Sequence, residues 1–232
     1  MTPESRAFVN GELVNSKSNK TFDNLSPVSE DVIGQTTDCS TEDMDLAITA
    51  ARHAFDKTDW AVNHAFRLDC LTQLRDALVN DIENIRSQVL AETGSPAGIC
   101  GPQGPQCDVP ISFIDTSLEL LKNYNWGRDQ GMANFGGLES KRLIEKEAIG
   151  VVGCITPWNV PLQINLAKII PALSAGCSVV LKPAPDTPWS ATLIGAAANQ
   201  TDIPDGIINI VPSSDPQSIG EQLVNDPRVD MI

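Results

Sequence analysis

Hydrophobic and polar positions along this chain change their period from one stretch to the next, and each change marks an element. The segment AFVNGELV sets an Asn-Gly turn between apolar flanks, and FDNLSPVSEDVIGQTT alternates around a Ser-Pro, so the first forty residues predict short strands in hairpins. From Ser40 the spacing becomes three and four: after Ser40-Thr41-Glu42-Asp43 come Met44, Ala47, Ile48, Ala51, Ala54 and Phe55, which predicts a helix over 41–56. Phe66 to Asn80 continues through Leu68, Leu71, Leu74 and Leu78, and Ile82 to Thr93 through Ile82, Ile85, Val89 and Leu90. Both predict amphipathic helices. Gly94-Ser95-Pro96 ends that run, a Gly/Pro-rich loop reaches about Pro110, and a further helix is predicted over 109–125.

Residues 127–148 lose the helical rhythm: scattered glycines precede a charged alternation over Ser140 to Glu147, which predicts an exposed hairpin, an arm of the kind that pairs with another subunit. After Gly150 the pattern becomes α/β. Val151–Ile155, Ser178–Leu181 and Ile207–Val211 read as buried strands, and helices are predicted from Pro161, over 188–200 and over 216–225. Strand centres near 152, 180 and 209 stand about 28 and 29 residues apart, the length of one right-handed βαβ unit. The expected fold is α/β, an incomplete doubly wound parallel sheet of Rossmann type with helices on both faces. Arg228 to Ile232 begins a fourth strand inside which the chain stops, and this reads as a truncation. The chain divides into 1–126, the amino-terminal strands and helices; 127–148, the arm; and 149–232, the βαβ units.

Composition narrows the function classes. Sixteen basic against thirty acidic residues leave a net charge of -14, so no basic surface exists for a nucleic-acid footprint. The richest apolar stretch, Leu166 to Leu181, carries Lys168 and Pro171 and does not predict a membrane span, and the start MTPESRAFVNGELV has no signal-peptide pattern. A cytoplasmic protein is expected. The six cysteines, at 39, 70, 100, 107, 154 and 177, include no CxxC pair and have only His53 and His64 to help, so no metal site is predicted and free thiols are expected. Cys154 and Cys177 read as core residues, while Cys100 and Cys107 flank a loop in which a disulfide would need an oxidising compartment.

No GxGxxG follows any strand; Gly98, Gly101 and Gly104 lie in a Pro-rich loop without the strand and helix that would give them meaning. Chemistry is sought instead after the first two buried strands. Ile155-Thr156-Pro157-Trp158-Asn159 stands at the carboxyl end of a parallel strand, where open α/β sheets bind ligands. The Asn159 amide can donate two hydrogen bonds to an oxyanion, or the side chain can cap the helix opening at Pro161. Spacing favours the cap and leaves both open. Lys182 ends the next strand within Leu181-Lys182-Pro183-Ala184-Pro185-Asp186, where an ammonium can anchor ribose hydroxyls or a phosphate, or simply stay solvated.

With these two motifs the chain resembles the aldehyde dehydrogenase superfamily. The resemblance runs through nearly all of it, in Asn10-Gly11-Glu12-Leu13-Val14, Asn24-Leu25-Ser26-Pro27, Glu92-Thr93-Gly94, Glu147-Ala148-Ile149-Gly150, Thr156-Pro157-Trp158-Asn159, Pro171-Ala172-Leu173, Leu181-Lys182-Pro183-Ala184 and Pro204-Asp205-Gly206. It implies that Asn159 helps form an oxyanion hole, that Ile155, Thr156, Pro157 and Trp158 line the nicotinamide side of a cofactor cleft, and that Lys182 touches the adenosine ribose with Ala184 alongside. It also implies an oligomerisation role for the hairpin, a homo-oligomer in the full-length form, and oxidation of an aldehyde by NAD(P)+ through a thiohemiacetal on a Cys thiolate.

Two departures qualify this. NAD-preferring members commonly carry Glu three residues after the Lys, where this chain has Pro185 and then Asp186; either cofactor stays open, and an acid at Asp186 repels a 2′-phosphate and leans the choice to NAD. Family members are about twice as long, and the resemblance puts their nucleophilic Cys and general-base Glu beyond Ile232, so the chain alone is expected to be inactive and Cys154 is not the nucleophile. The alternative is a non-catalytic chain that associates with full-length dehydrogenase subunits or with a separate catalytic half.

Overall fold

The computed structural model describes residues 3–232. Two hairpins open it, β1 (Ala7–Val9) with β2 (Glu12–Val14) and β3 (Thr21–Leu25) with β4 (Val32–Thr37). Asn10 and Gly11 turn the first at φ 52° and 80°, the left-handed pair a two-residue turn requires. Helix α1 (Thr41–Lys57) starts where its apolar spacing starts, with Asp43 Oδ2 accepting from the Ser40 N–H at 2.8 Å. Helices α2 (His64–Asn80) and α3 (Ile82–Thr93) follow, the latter closed by Gly94 in the left-handed conformation. The stretch expected as plain loop contains a short helix, α4 (Ala97–Cys100), because Pro96 begins a turn closed by Ile99 N–H on its carbonyl at 2.8 Å. α5 (Asp108–Asn123) stops two residues before its predicted end, where Tyr124 turns extended and sets its ring 4.7 Å from Trp126.

The arm is a hairpin, β5 (Gly127–Phe135) with β6 (Leu138–Glu145), whose strands, among the described residues, pair only with each other. Beyond it β7 (Val151–Ile155), α6 (Pro161–Ser174), β8 (Ser178–Lys182), α7 (Trp189–Ala198), β9 (Ile208–Ile210) and α8 (Pro216–Asn225) alternate as the spacing predicts. The strands β7, β8 and β9 are parallel. The first hairpin is more than a lead-in: β1 joins β9 antiparallel through Phe8 and Ile210, so the sheet has five strands in the order β2-β1-β9-β8-β7 and is mixed. That pairing covers the edge β9 would otherwise expose. The fourth strand expected over 228–232 is reduced to one parallel bridge, Val152 with Met231, on the free side of β7.

Side-chain alternation sorts the core into two halves. Val151, Val180 and Val211 face α1 and α8 with Met44, Ala47, Ile48, Ile219 and Leu223, while Val152, Cys154, Val179 and Leu181 face the opposite layer with Leu71, Leu74, Ile114, Leu166 and Ile169. Both sheet faces are covered, which is why β7 and β8 read as unbroken apolar runs. Among the described residues no helix is long and apolar enough to cross a membrane. Gly206 turns the chain into β9 at φ 85°, and a Cβ there would stand 2.5 Å from the Ala50 carbonyl oxygen. Gly206→Ala combines backbone strain with a clash against α1 backbone, and a loss of about 2–4 kcal/mol is expected from urea unfolding at unchanged m-value.

Candidate cofactor site at the sheet switch point

From β7 the chain passes through α6 to β8 and through α7 to β9, each strand laid further from β7 on the same side. After α8 it returns to the other side, where Gly153 N–H donates to Met231 O at 2.8 Å. The direction of winding reverses at β7, and the crevice beyond the carboxyl end of such a strand is where ligands sit in open α/β sheets.

Register brings the two candidate motifs together there. Ile155 and Lys182 are directly paired, and the Thr156 N–H donates to the Lys182 carbonyl at 3.3 Å. Thr156 is buried, its hydroxyl donating to Asn165 Oδ1 on α6 at 2.6 Å. This bond fixes the turn that leads out of the strand. Ile155, Pro157, Trp158 and Asn159 face outward, Trp158 with 61% of its surface exposed. The capping reading of Asn159 fails: the N-cap position of α6 is Val160, no side chain caps the helix, and among the described residues no hydrogen bond engages the Asn159 amide. Pro161 at the first helical position lacks an N–H, so one of the donors a cap would satisfy is absent. The amide is left free at the crevice.

The solvated reading of Lys182 fails as well. Its side chain runs inward along α8, 3.7 Å from where a Cβ on Gly220 would lie, and only 4% of the residue is exposed. Among the described residues the ammonium has one protein partner, the Pro183 carbonyl at 3.3 Å. Desolvation pulls its pKa below the usual lysine range. Of the residues that follow, Ala184 is buried, Pro185 half-buried and Asp186 exposed. A buried ammonium with three donors and one acceptor is under-satisfied, and hydroxyl or phosphate oxygens of a dinucleotide suit that donor set.

Asn165 is a site-side residue that sequence reading missed. It is fully buried on α6, and its Nδ2 has no partner among the described residues. The available signal was a polar residue inside the apolar stripe of Leu162, Leu166 and Ile169. The cysteines offer no nucleophile: all six are free and buried, and burial pushes Cys70, Cys107 and Cys154 up to about 12 and Cys39 higher still.

Comparison with known proteins follows the same lines. The sequence model of the Aldehyde dehydrogenase family matches residues 13–232. Geranial dehydrogenase of Castellaniella defragrans is 30% identical over 226 residues, covering 97% of this chain and 46% of that protein; aminoacetaldehyde dehydrogenase of Pseudomonas aeruginosa is 33% identical over 231 residues, covering 98% and 44%. The crystal structure of aldehyde dehydrogenase C from Pseudomonas syringae, complexed with NAD+ and octanal, superposes with a TM-score of 0.85 at 28% identity, covering 99% of this chain and 45% of that one. The chain spans a little under half the length of these relatives. Strand order, switch-point motifs and these matches agree, and the chain belongs to the aldehyde dehydrogenase family.

Proposed function

We propose that this chain supplies the NAD(P)-binding side of an aldehyde-oxidising dehydrogenase. The observation that carries the reading is the buried, under-satisfied Lys182 ammonium beside the exposed end of β7. Lys182 holds the adenosine ribose hydroxyls, with Ala184 and Pro185 forming the apolar floor next to it. Ile155, Thr156, Pro157 and Trp158 line the nicotinamide end of the crevice. When bound, the nicotinamide accepts the hydride that leaves the substrate carbon. The Asn159 amide, free of any capping duty, donates to the oxygen of the aldehyde carbon as negative charge develops on it. Asp186, exposed at the ribose end, repels a 2′-phosphate and selects NAD over NADP.

A groove of about 370 Å³ between α5 and α6, lined by Phe113, Ile114, Gln163, Leu166 and Ile170, runs along the helix that follows Asn159 in the chain and suits the apolar tail of an aldehyde. Six free buried thiols accord with a reducing, cytoplasmic setting. The arm joins subunits into a homo-oligomer, or joins this chain to a polypeptide carrying the nucleophile; Phe135, 87% exposed, and Leu138 at its tip support an apolar contact.

The test is an NADH fluorescence titration. Saturable binding is expected, and Lys182→Ala should weaken it by about 10- to 100-fold, the range for losing hydrogen bonds from a charged donor. A folded wild-type chain without NADH binding would sink the reading. With every thiol buried, the isolated chain is expected to give no aldehyde-dependent NADH; turnover that persists in Asn159→Ala and tracks this polypeptide through purification would contradict the assigned roles.

A further inference from the structure

Glu92 ends α3, on the face of the helix that carries Ile85 and Val89, and only 2% of it is exposed. A carboxylate in that position needs partners, and it finds them ninety-odd residues away. Oε1 accepts from the Ser190 N–H at 2.8 Å and Oε2 from the Trp189 N–H at 2.9 Å, with the Asn24 side-chain amide of β3 donating to Oε2 at 3.4 Å. The two backbone donors are the first two residues of α7, where unpaired N–H groups and the positive end of the helix dipole coincide.

Those residues are also the end of the loop that carries Lys182. Between Lys182 and Trp189 three of six positions are proline, at 183, 185 and 188, so the loop has few N–H groups with which to hold itself in place. Its internal bonds are short-range: the Thr187 N–H donates to Ala184 O at 3.3 Å and the Ser190 hydroxyl to Thr187 O at 2.9 Å. The far end is pinned to the rest of the protein by Glu92 and by the Trp189 ring, which lies so close to β4 that a Cβ on Gly34 would stand 2.6 Å from it.

We propose that Glu92 is a positioning residue for the cofactor: by accepting the Trp189 and Ser190 amides it fixes the Lys182–Pro188 loop in the form that meets the adenosine ribose. The inference rests on the reading of that loop as a cofactor contact. It gives the Glu92-Thr93-Gly94 motif a task, although the motif lies on a different helix from every residue of the crevice. An ionised carboxylate accepts both amides, whereas the protonated group keeps one good acceptor. The groups facing it are all neutral, namely Asn24 from β3 and Trp189 and Ser190 from α7; burial pushes the carboxyl up to about 7, against the pull of the two amides. Loop order, and with it cofactor affinity, therefore depends on both carboxylate oxygens of Glu92 accepting.

The experiment is an NADH titration of wild type and Glu92→Gln between pH 6 and 8.5, with a thermal melt of each at every pH. Glu92→Gln is expected to bind about tenfold more weakly at pH 8, with a flat profile, because the amide supplies one acceptor and does not titrate in this range. A folded Glu92→Gln with wild-type affinity at pH 8 overturns the proposal. Rapid hydrogen exchange of the Trp189 and Ser190 amides in the folded wild type overturns it as well, a measurement that needs no variant and keeps the test decisive where the glutamine form does not fold. Failure of the wild type to bind NADH at any pH removes the underlying cofactor reading, and the Glu92 role with it; wild-type binding unaffected by Glu92 removes the latter alone.

Discussion

Trp60→Ala is expected to cost about 3–5 kcal/mol, the range for emptying a fully buried aromatic site. Trp60 has no exposed surface, meets Phe66 edge to face at 6.5 Å, and donates its indole N–H to the Cys177 carbonyl at 3.1 Å. The same residue's carbonyl accepts from Arg67 Nη1, a guanidinium that is itself buried, donates through Nε to Ser174 O at 3.1 Å, and sits over Trp126. Truncation thus opens a cavity where the α1–α2 connection meets the entry to β8 and leaves a carbonyl unpaired. For a chain of this size the melting temperature should drop by roughly 6–20 °C. Trp60→Phe, which keeps most of the ring and loses the donor, should cost less. A loss below about 1 kcal/mol for the alanine form would mean that this junction is not packed as described.

The second large effect concerns pH and the stability of the whole domain. Glu92 has a folded pKa of about 7 against 4.5 for the free side chain. Between those values the folded protein binds more protons than the unfolded chain. Its contribution is fully present below pH 4.5 and is lost as pH rises through 7, a change of about 3 kcal/mol at 1.36 kcal/mol per pKa unit. Asp108 beside Arg86 and Asp226 beside Arg228 act with the opposite sign: their hydrogen-bonded arginines hold them below 3.8, so their support is present above that value and fades in stronger acid. Urea unfolding of wild type and Glu92→Gln at pH 5 and pH 8 isolates the Glu92 part. The stability difference between them should move by about 2.5 kcal/mol against the wild type on going to pH 8. A difference that stays constant would place the Glu92 pKa near its ordinary value.

Much of the architecture was legible because its signals are local. The repeats through Met44, Leu71 and Ile85 located α1, α2 and α3, and the apolar runs at Val151 and Ser178 located β7 and β8, since each element buries a face whose period is written in consecutive residues. Start signals were equally local, as at Pro161 and at Pro216 after Asp215, whose side chain accepts from the Ser218 N–H. The pairing of Lys182 with the Ile155 end of β7 was half legible. The spacing of the βαβ units implied neighbouring parallel strands, while the depth to which Lys182 is buried depends on α8 and Gly220, nearly forty residues on.

Elsewhere local signals were silent or misleading. By spacing Asn159 was a better cap than oxyanion donor, and the opposite outcome turned on Val160 taking the N-cap position. The first hairpin carried no mark of the strand it would join, because a three-residue edge strand pairs through backbone groups that every sequence has.

Periodicity, caps and breakers by themselves determined most of the segments that are helix or strand, since the residues that decide are neighbours; the short α4 and the reduced strand at 228–232 escaped them. Tertiary structure alone decided which polar groups are spent and which remain available: Glu92 taken up by amides of α7, Asn159 left free, Lys182 buried with one partner. The cost of burying a charge depends on who meets it, and here the groups that meet are brought together from distant parts of the chain.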